Sequence, residues 1–215
     1  MEDVEIALVA SRYGYADQPF GIAESNQLDF HSPYGCSKGC AEQYIRDYSR
    51  IYDIPTVVMR QSCIYGEHQF GIEDQGWIAW FTIASMFGRP VTIFGDGCQV
   101  RDVLYVGDLV DAYLRAAENP DTVRGKIYNV GGGPSSTLSL NELVALLREQ
   151  LGTSIETISG DWRPGDQRVY ISDIRKIDAE LGWRPTTDVH AGISRLVDWV
   201  KDNRDILARY VVELD

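Results

Sequence analysis

The chain has 215 residues, of which 32 are acidic and 20 basic, giving a formal net charge of −12. The length suits one large domain, or a domain with a small additional lobe. The acidic excess argues against a nucleic-acid or anionic-membrane partner, because phosphate backbones require clustered lysine and arginine. It leaves room for a small phosphorylated ligand, which needs only one or two arginines.

Membrane, metal and disulfide signals are weak throughout the sequence. No apolar run approaches the ~20 residues of a membrane-spanning helix, and the N-terminal residues lack the basic start of a signal peptide. The four cysteines form no Cys-x-x-Cys pair. We therefore expect a cytoplasmic protein with reduced thiols and no metal site.

The hydrophobic pattern predicts alternating strands and helices. Residues 4–9 are a short apolar run rich in branched side chains, which is typical of a buried strand. Apolar positions at helical steps predict a helix over residues 33–52. Further strands are predicted at 55–59, 91–94, 126–130 and 153–158, and further helices at 77–87, 109–118 (with Asp108 as N-cap), 139–151 (with Ser139 as cap), 173–181 and 191–203.

Tyr34 and Lys38 lie four residues apart at the start of the predicted helix, so the phenol and the ammonium share one face, one turn apart. A nearby positive charge favours the phenolate and lowers the tyrosine pKa from its usual value of about 10. Such a tyrosine can act as a general base toward a substrate hydroxyl. The pair alone is a weak signal, because most pairs of this spacing are a half-buried aromatic beside a solvated lysine.

Several other segments accompany the pair in a fixed order. They are RQSCIYG at 60–66, QVRDVLYVGD at 99–108, YNVGG at 128–132, RPGD at 163–166 and LGWRP at 181–185. In this order the sequence resembles the C-terminal two-thirds of an extended short-chain dehydrogenase/reductase, in the NAD-dependent nucleotide-sugar epimerase/dehydratase family. Within that family, QLDFHSPYGCSKG (27–39) and DQGWIAWF (74–81) most resemble the CDP-paratose/CDP-tyvelose 2-epimerases.

The resemblance implies an α/β fold. Residues 1–66 would form the C-terminal part of a Rossmann-type parallel sheet, and residues 67–215 mostly a smaller α/β substrate-binding lobe, with segments that return to the sheet. The sequence contains no G-x-x-G-x-x-G segment, with which the family approaches the NAD pyrophosphate. A bare sheet edge would then lie at residues 4–9. We therefore expect a homodimer, or pairing with a chain that supplies the missing half.

The resemblance also implies NAD as cofactor and assigns residues to it. Tyr34 and Lys38 would contact its nicotinamide end, together with Ser62 and Cys63, although Cys63 is equally well explained as a small core residue. Ser11 is matched to the hydroxyl residue that assists the tyrosine. Another alignment puts Val9 there, and a simple turn is an equally good explanation of Ser11.

Two arginines are assigned to the substrate diphosphate by the same resemblance. Arg101 and Arg163 carry planar guanidinium groups that can bind phosphate oxygens bidentately. For Arg101 the alternative is an ion pair with Asp102 or Asp96.

Three further side chains are candidate contacts to the sugar or the base. Gln69 and Gln75 can both donate and accept hydrogen bonds. Phe94 could stack on the base, although an aromatic residue at a strand end more often belongs to the core.

The resemblance therefore implies NAD-dependent epimerisation of a nucleotide-diphospho-sugar through a transient keto sugar, and the subgroup implies a CDP-linked sugar. The stretch 9–13 has no carboxylate of the kind that dehydratases use to expel water, which favours an epimerase. The alternative is a catalytically incomplete chain that binds a nucleotide sugar without its own NAD site.

Overall fold

Strands and helices alternate through residues 4–212, which are the residues that the computed structural model describes. The strands are β1 Ile6–Val9, β2 Arg12–Tyr15, β3 Val57–Gln61, β4 Cys63–Tyr65, β5 Val91–Phe94, β6 Val100–Tyr105, β7 Lys126–Val130, β8 Thr137–Ser139, β9 Thr157–Gly160 and β10 Val169–Tyr170. The helices are α1 Pro33–Tyr52, α2 Trp77–Met86, α3 Val106–Glu118, α4 Pro120–Val123, α5 Leu140–Leu151, α6 Arg175–Leu181, α7 Val189–Asp202 and α8 Arg204–Val212. None of these helices is long and apolar enough to cross a membrane.

Most strand pairs are parallel, which confirms the predicted α/β class. Strand β3 pairs with β7, β4 and β10 pair with β6, and β5 pairs with β9, all in parallel. Antiparallel pairing is found in the β1–β2 hairpin and between β6 and β8. Because the carboxyl ends of parallel strands meet at one edge, the loops that follow them can build a common site.

Two clusters of buried apolar residues form the core. The larger one surrounds α2, whose residues from Ile78 to Ser85 are all buried, and draws in one face each of α5 and α7. The smaller one lies between β7 and α3, with Trp183 fully buried at its centre. The Trp183 indole donates to the Asp108 carbonyl at 3.0 Å, so its one polar group is satisfied.

The prediction of a buried strand at residues 4–9 is wrong. Ile6–Val9 pairs antiparallel with Arg12–Tyr15, and the side chains of Leu8 and Val9 are 56% and 62% exposed. A short apolar run shows that a strand is favoured but not what covers it. The expected bare edge at 4–9 is therefore paired with β2 on one side.

Asp108 does not cap α3, which begins two residues earlier, at Val106. Its carboxylate instead accepts hydrogen bonds from the Thr186 hydroxyl at 2.7 Å and from the backbone amides of Thr186 and Thr187 at 3.1 and 3.0 Å. Asp108 thereby fixes the segment that leads into α7. The predicted cap at Ser139 is confirmed, as a reciprocal capping box with Glu142.

Candidate active site

The N-terminal turn of α1 presents the tyrosine and the lysine together. The Ser32 hydroxyl accepts from the Gly35 amide at 3.0 Å and fixes the start of the helix. Tyr34 is 71% exposed, and the Lys38 Nζ lies 5.3 Å from the centre of its ring. The helix thus places the ammonium over the phenol, as the four-residue spacing predicts.

A cavity of about 770 Å³ opens beside this turn. Its wall includes Tyr34 from α1, Phe94 from the end of β5, Arg101 from β6, and Arg163 from the loop after β9. Four of the residues predicted from the sequence therefore line one space, of the size typical for a small-molecule site. His31, just before the helix, also lines it.

Arg101 is paired with a carboxylate that the sequence did not identify. Its Nη2 contacts the Asp166 Oδ1 at 2.8 Å, and its Nη1 donates to the Val100 carbonyl at 2.9 Å. The proposed alternatives, Asp102 and Asp96, are not its ion-pair partners. Asp166 belongs to the RPGD segment, so Arg101 and the Arg163 loop are linked directly.

Arg163 lies over the ring of Phe94. The carbon of its guanidinium is 3.8 Å from the centre of the Phe94 ring, a cation–π contact, and its Nη2 is 3.0 Å from the Asp74 Oδ1. A nucleotide base could stack on this face of Phe94 only if the guanidinium moved. Base stacking by Phe94 therefore stays a prediction.

Gln69 and Gln75 do not line the cavity. The Gln69 amide donates to the Ile64 carbonyl at 3.3 Å, and Gln75 exchanges backbone hydrogen bonds with Ile72 at 2.9 and 3.1 Å. Their loop instead presents Glu73 and Asp74 to the cavity. The sequence signal was the acidic pair between Ile72 and Gln75, which suits a two-residue turn.

Ser11 is not brought to Tyr34. It lies in the turn of the β1–β2 hairpin, exposed, after Ala10 with its left-handed φ of 57°, and does not line the cavity. The neighbouring Arg12 contacts the Thr137 hydroxyl at 2.5 Å and the Glu142 carboxylate at 3.2 Å. This placement fits a turn residue and does not support the catalytic role.

The hydroxyl of Ser62 is engaged by a buried carboxylate. It donates to the carbonyl of Asp102 at 2.7 Å and also to the Asp102 side chain, which accepts from the Gly133 amide at 3.1 Å. Burial raises the pKa of Asp102, and the hydrogen bonds from Ser62 and Gly133 oppose the increase. Ser62 therefore joins β6 to the loop after β3.

Cys63 follows Ser62 at the start of β4. Its half-buried side chain packs against the larger apolar cluster. Burial raises the pKa of the Cys63 thiol, although a hydrogen bond with Trp77 lowers it. This environment is that of the small core residue considered as the alternative to a cofactor contact.

Of the start of α1 and the glycines after β7, only the first leaves room for part of NAD. Tyr34 and Lys38 are accessible to a nicotinamide ribose. The glycines after β7 offer no open phosphate cradle, because a Cβ on Gly131 would lie 2.2 Å from the Asp102 carboxylate and one on Gly132 would lie 2.2 Å from the Val103 carbonyl. These glycines allow close packing of protein atoms and leave no room for a pyrophosphate against Gly131 and Gly132.

A buried ion pair anchors the helix that carries Tyr34. Arg60, on β3, donates through Nε and Nη2 to the two carboxylate oxygens of Glu42 at 2.8 and 2.7 Å, and through Nη1 to the Glu24 carbonyl at 3.2 Å. The hydrogen bonds to Glu42 raise the pKa of Arg60. Sequence reasoning missed this pair, since nothing local links positions 42 and 60.

Comparison with known proteins decides the family. The sequence model of the NAD dependent epimerase/dehydratase family matches residues 8–131, more than half of the chain. The chain belongs to this family. The predicted family, its Rossmann-type fold and its dependence on NAD are thereby confirmed at the level of the family.

Curated members of the family match most of this chain. A CDP-paratose 2-epimerase from Salmonella typhi is 43% identical over 194 residues, which are 88% of this chain and 57% of the relative. A putative UDP-glucose 4-epimerase from Methanocaldococcus jannaschii is 37% identical over 183 residues, 85% of this chain and 57% of the relative. The chain thus spans a little more than half the length of the curated relatives it matches.

Solved structures of epimerases share the fold. The UDP-glucose 4-epimerase of Thermotoga maritima with UDP-glucose superposes with a TM-score of 0.77 at 33% identity, covering 86% of this chain and 58% of that chain. A UDP-glucuronic acid 4-epimerase of Bacillus cereus, in complex with UDP-glucuronic acid and NAD, gives a TM-score of 0.78 at 27% identity, covering 85% and 56%.

Proposed function

We propose that this chain carries the substrate-binding and proton-transfer residues of an NAD-dependent epimerase that acts on a nucleotide-diphospho-sugar, with a CDP-linked sugar as the first candidate. The observation that carries the proposal is the cavity in which Tyr34 meets Arg101 and Arg163. The 43% identity to a CDP-paratose 2-epimerase supports the choice of CDP.

In this proposal the diphosphate binds at the two arginines of the cavity and the sugar binds near Tyr34. Arg101 and Arg163 suit the diphosphate, because a guanidinium fork binds phosphate oxygens bidentately. Anion binding in a chain of net charge −12 depends on such local cations. The sugar would then lie toward the start of α1, where Tyr34 projects.

Tyr34 has the exposure and the neighbour that a general base needs. Its phenolic oxygen can accept the proton of a sugar hydroxyl and later return it, and the Lys38 ammonium lies 5.3 Å from the centre of its ring. NAD, when bound, supplies the oxidising and reducing power for the carbon that is inverted. Tyr34 and Lys38 would hold its nicotinamide end.

We also propose that a second polypeptide segment binds beside β3, because one edge of this strand has no partner strand within residues 4–212. Within residues 4–212, β3 pairs only with β7, and a two-stranded parallel sheet is marginal in water. The helices on either side expose apolar side chains near that edge. They are Tyr44 (70% exposed), Tyr48 (51%) and Ile51 (68%) on α1, with Tyr113 (44%) and Leu114 (57%) on α3.

We propose that a glycine-rich nucleotide-binding segment adds a strand to β3 and covers these helices. The relatives have room for such a segment, since about 43% of their length lies outside the match. Co-expression with the unmatched part of the Salmonella relative should give a stable heterocomplex. If only a homodimer forms, the apolar surface instead pairs two copies of this chain.

Calorimetric titration tests the substrate end. We expect the purified chain to bind CDP, and Arg163→Gln to weaken that binding at least tenfold, because a bidentate charge-assisted contact is lost. Lys176→Gln, a charge change outside the cavity, is the matched control. No CDP binding at millimolar concentration would refute the assignment of the cavity.

A non-catalytic nucleotide-sugar-binding chain is the second candidate. The observations that favour it are the engaged Ser62 hydroxyl and the tightly packed glycines after β7. This candidate predicts CDP binding without NAD binding, even in the heterocomplex. Sugar epimerisation by the heterocomplex, lost with Tyr34→Phe, would exclude it.

We also propose a cytoplasmic location. All four cysteines are free, and those at positions 36 and 40 are exposed on α1. Exposed thiols persist in reducing compartments. Fractionation of the native host, with antibody detection, tests this.

A further inference from the structure

A two-residue turn reaches the cavity from the loop between β4 and α2. Ile72 and Gln75 exchange two backbone hydrogen bonds, so Glu73 and Asp74 form the tip of the turn. Both tip residues line the cavity. The Asp74 carboxylate contacts Arg163, whereas Glu73 makes no ion pair within residues 4–212.

The carboxylate of Asp74 contacts the guanidinium that the proposed function assigns to the ligand diphosphate. It contacts the Nη2 of Arg163 at 3.0 Å, while the carbon of that guanidinium lies 3.8 Å from the centre of the Phe94 ring. A carboxylate and a phosphate present similar acceptor oxygens to a guanidinium. The free chain therefore satisfies the cation with its own acidic group.

This ion pair is easily displaced. The Asp74 side chain is 82% exposed and that of Arg163 36%, so Asp74 can turn into water without burying a charge. The turn is also anchored independently of the pair, by the backbone hydrogen bonds of Ile72 and Gln75. Losing the contact therefore need not unfold the loop.

We propose that Asp74 is an internal competitor for the diphosphate at Arg163, and that it determines how strongly the site selects for charge. The inference rests on the proposed function of the cavity. A diphosphate replaces the carboxylate on the guanidinium, whereas a neutral nucleoside does not. Asp74 thus lowers the affinity for the anionic ligand and leaves that for the nucleoside unchanged.

Removing the competitor should strengthen the binding of CDP. An exposed ion pair corresponds to a factor of about 1.5 to 5 in an equilibrium constant. We expect Asp74→Asn to lower the Kd for CDP about two- to fivefold, with cytidine as the uncharged probe unaffected. The gain should shrink at high salt, because exposed charges are screened.

Glu73→Gln is the matched control, since it removes one charge from the other tip residue of the same turn. It measures the repulsion between a nearby negative charge and the bound CDP, without breaking an ion pair. In an Arg163→Gln background, Asp74→Asn should give no more than the Glu73→Gln effect. Calorimetry on the full chain, with CDP and cytidine as probes, measures all these variants.

The outcomes separate this inference from the proposed function. A larger gain with Asp74→Asn than with Glu73→Gln supports the competitor role. Equal effects mean general repulsion, and weaker CDP binding means that Asp74 positions Arg163; either result overturns the inference alone. Absence of CDP binding in the wild-type chain and in every variant overturns the proposed function together with it.

Discussion

Replacing Glu42 by alanine removes the carboxylate that holds α1, the helix that carries Tyr34, on β3. The side chains of Glu42 and Arg60 are only 7% and 18% exposed, so the change leaves the Arg60 charge largely buried without its partner. Breaking a buried pair in this way costs about 3–5 kcal/mol of unfolding free energy. We expect the lower end, about 3 kcal/mol, because Arg60 keeps some contact with water and with the Glu24 carbonyl.

Thermal unfolding followed by circular dichroism is the assay. For a chain of this length, 1 kcal/mol shifts Tm by about 2–4 °C, so Glu42→Ala should lower Tm by about 6–12 °C. Asp47→Ala is the control on the same helix, because its ion pair with Arg50 is 57–60% exposed. Such an exposed pair contributes at most about 0.5 kcal/mol, or about 2 °C.

A second variant keeps the reasoning testable if the single change prevents folding. Glu42→Leu combined with Arg60→Met replaces both charges by apolar groups, and should recover most of the lost stability. If Glu42→Ala lowers Tm no more than Asp47→Ala does, the Glu42–Arg60 pair does not anchor the helix. The same follows if the double variant is less stable than Glu42→Ala.

Three other changes address the chemistry and the packing. Tyr34→Phe should lower kcat of the assembled epimerase by about 10²–10⁴ with the Kd for CDP unchanged; a loss of CDP binding alone would contradict its role as base. Asp102→Ala leaves the buried Gly133 amide without an acceptor and should cost about 1–3 kcal/mol in urea unfolding, whereas Asp102→Asn, which keeps an acceptor, should cost less. The hydrogen bond from Lys126 lowers the pKa of Glu180 below its ordinary 4.5. The contribution of the Glu180 carboxylate to the free energy of unfolding is therefore present above pH 4.5 and is lost as the pH falls through the lowered pKa. Between neutral pH and about pH 3, calorimetric scans of the Glu180→Gln variant should therefore show a smaller loss of stability than scans of the wild type. Equal losses would show that the Lys126–Glu180 contact does not stabilise the fold.

The sequence by itself determined the features that depend on near neighbours. The helix over 33–52, the cap at Ser139 and the placement of Lys38 one turn from Tyr34 follow from local propensity and from the 3.6-residue period. The order of the motifs was enough to indicate the family. The resemblance that these motifs carry also implied that Arg101 and Arg163 belong to one site.

Only the tertiary structure decided which side chains meet. Arg101 pairs with Asp166, 65 positions away, and Arg163 with Asp74, 89 positions away, and no local pattern selects among the 32 acidic residues of the chain. The apolar run at residues 4–9 forms one exposed strand of a hairpin, because a short apolar run predicts a strand but not what lies over it. Long-range contacts of this kind are set by the packing of whole elements, which sequence spacing does not encode.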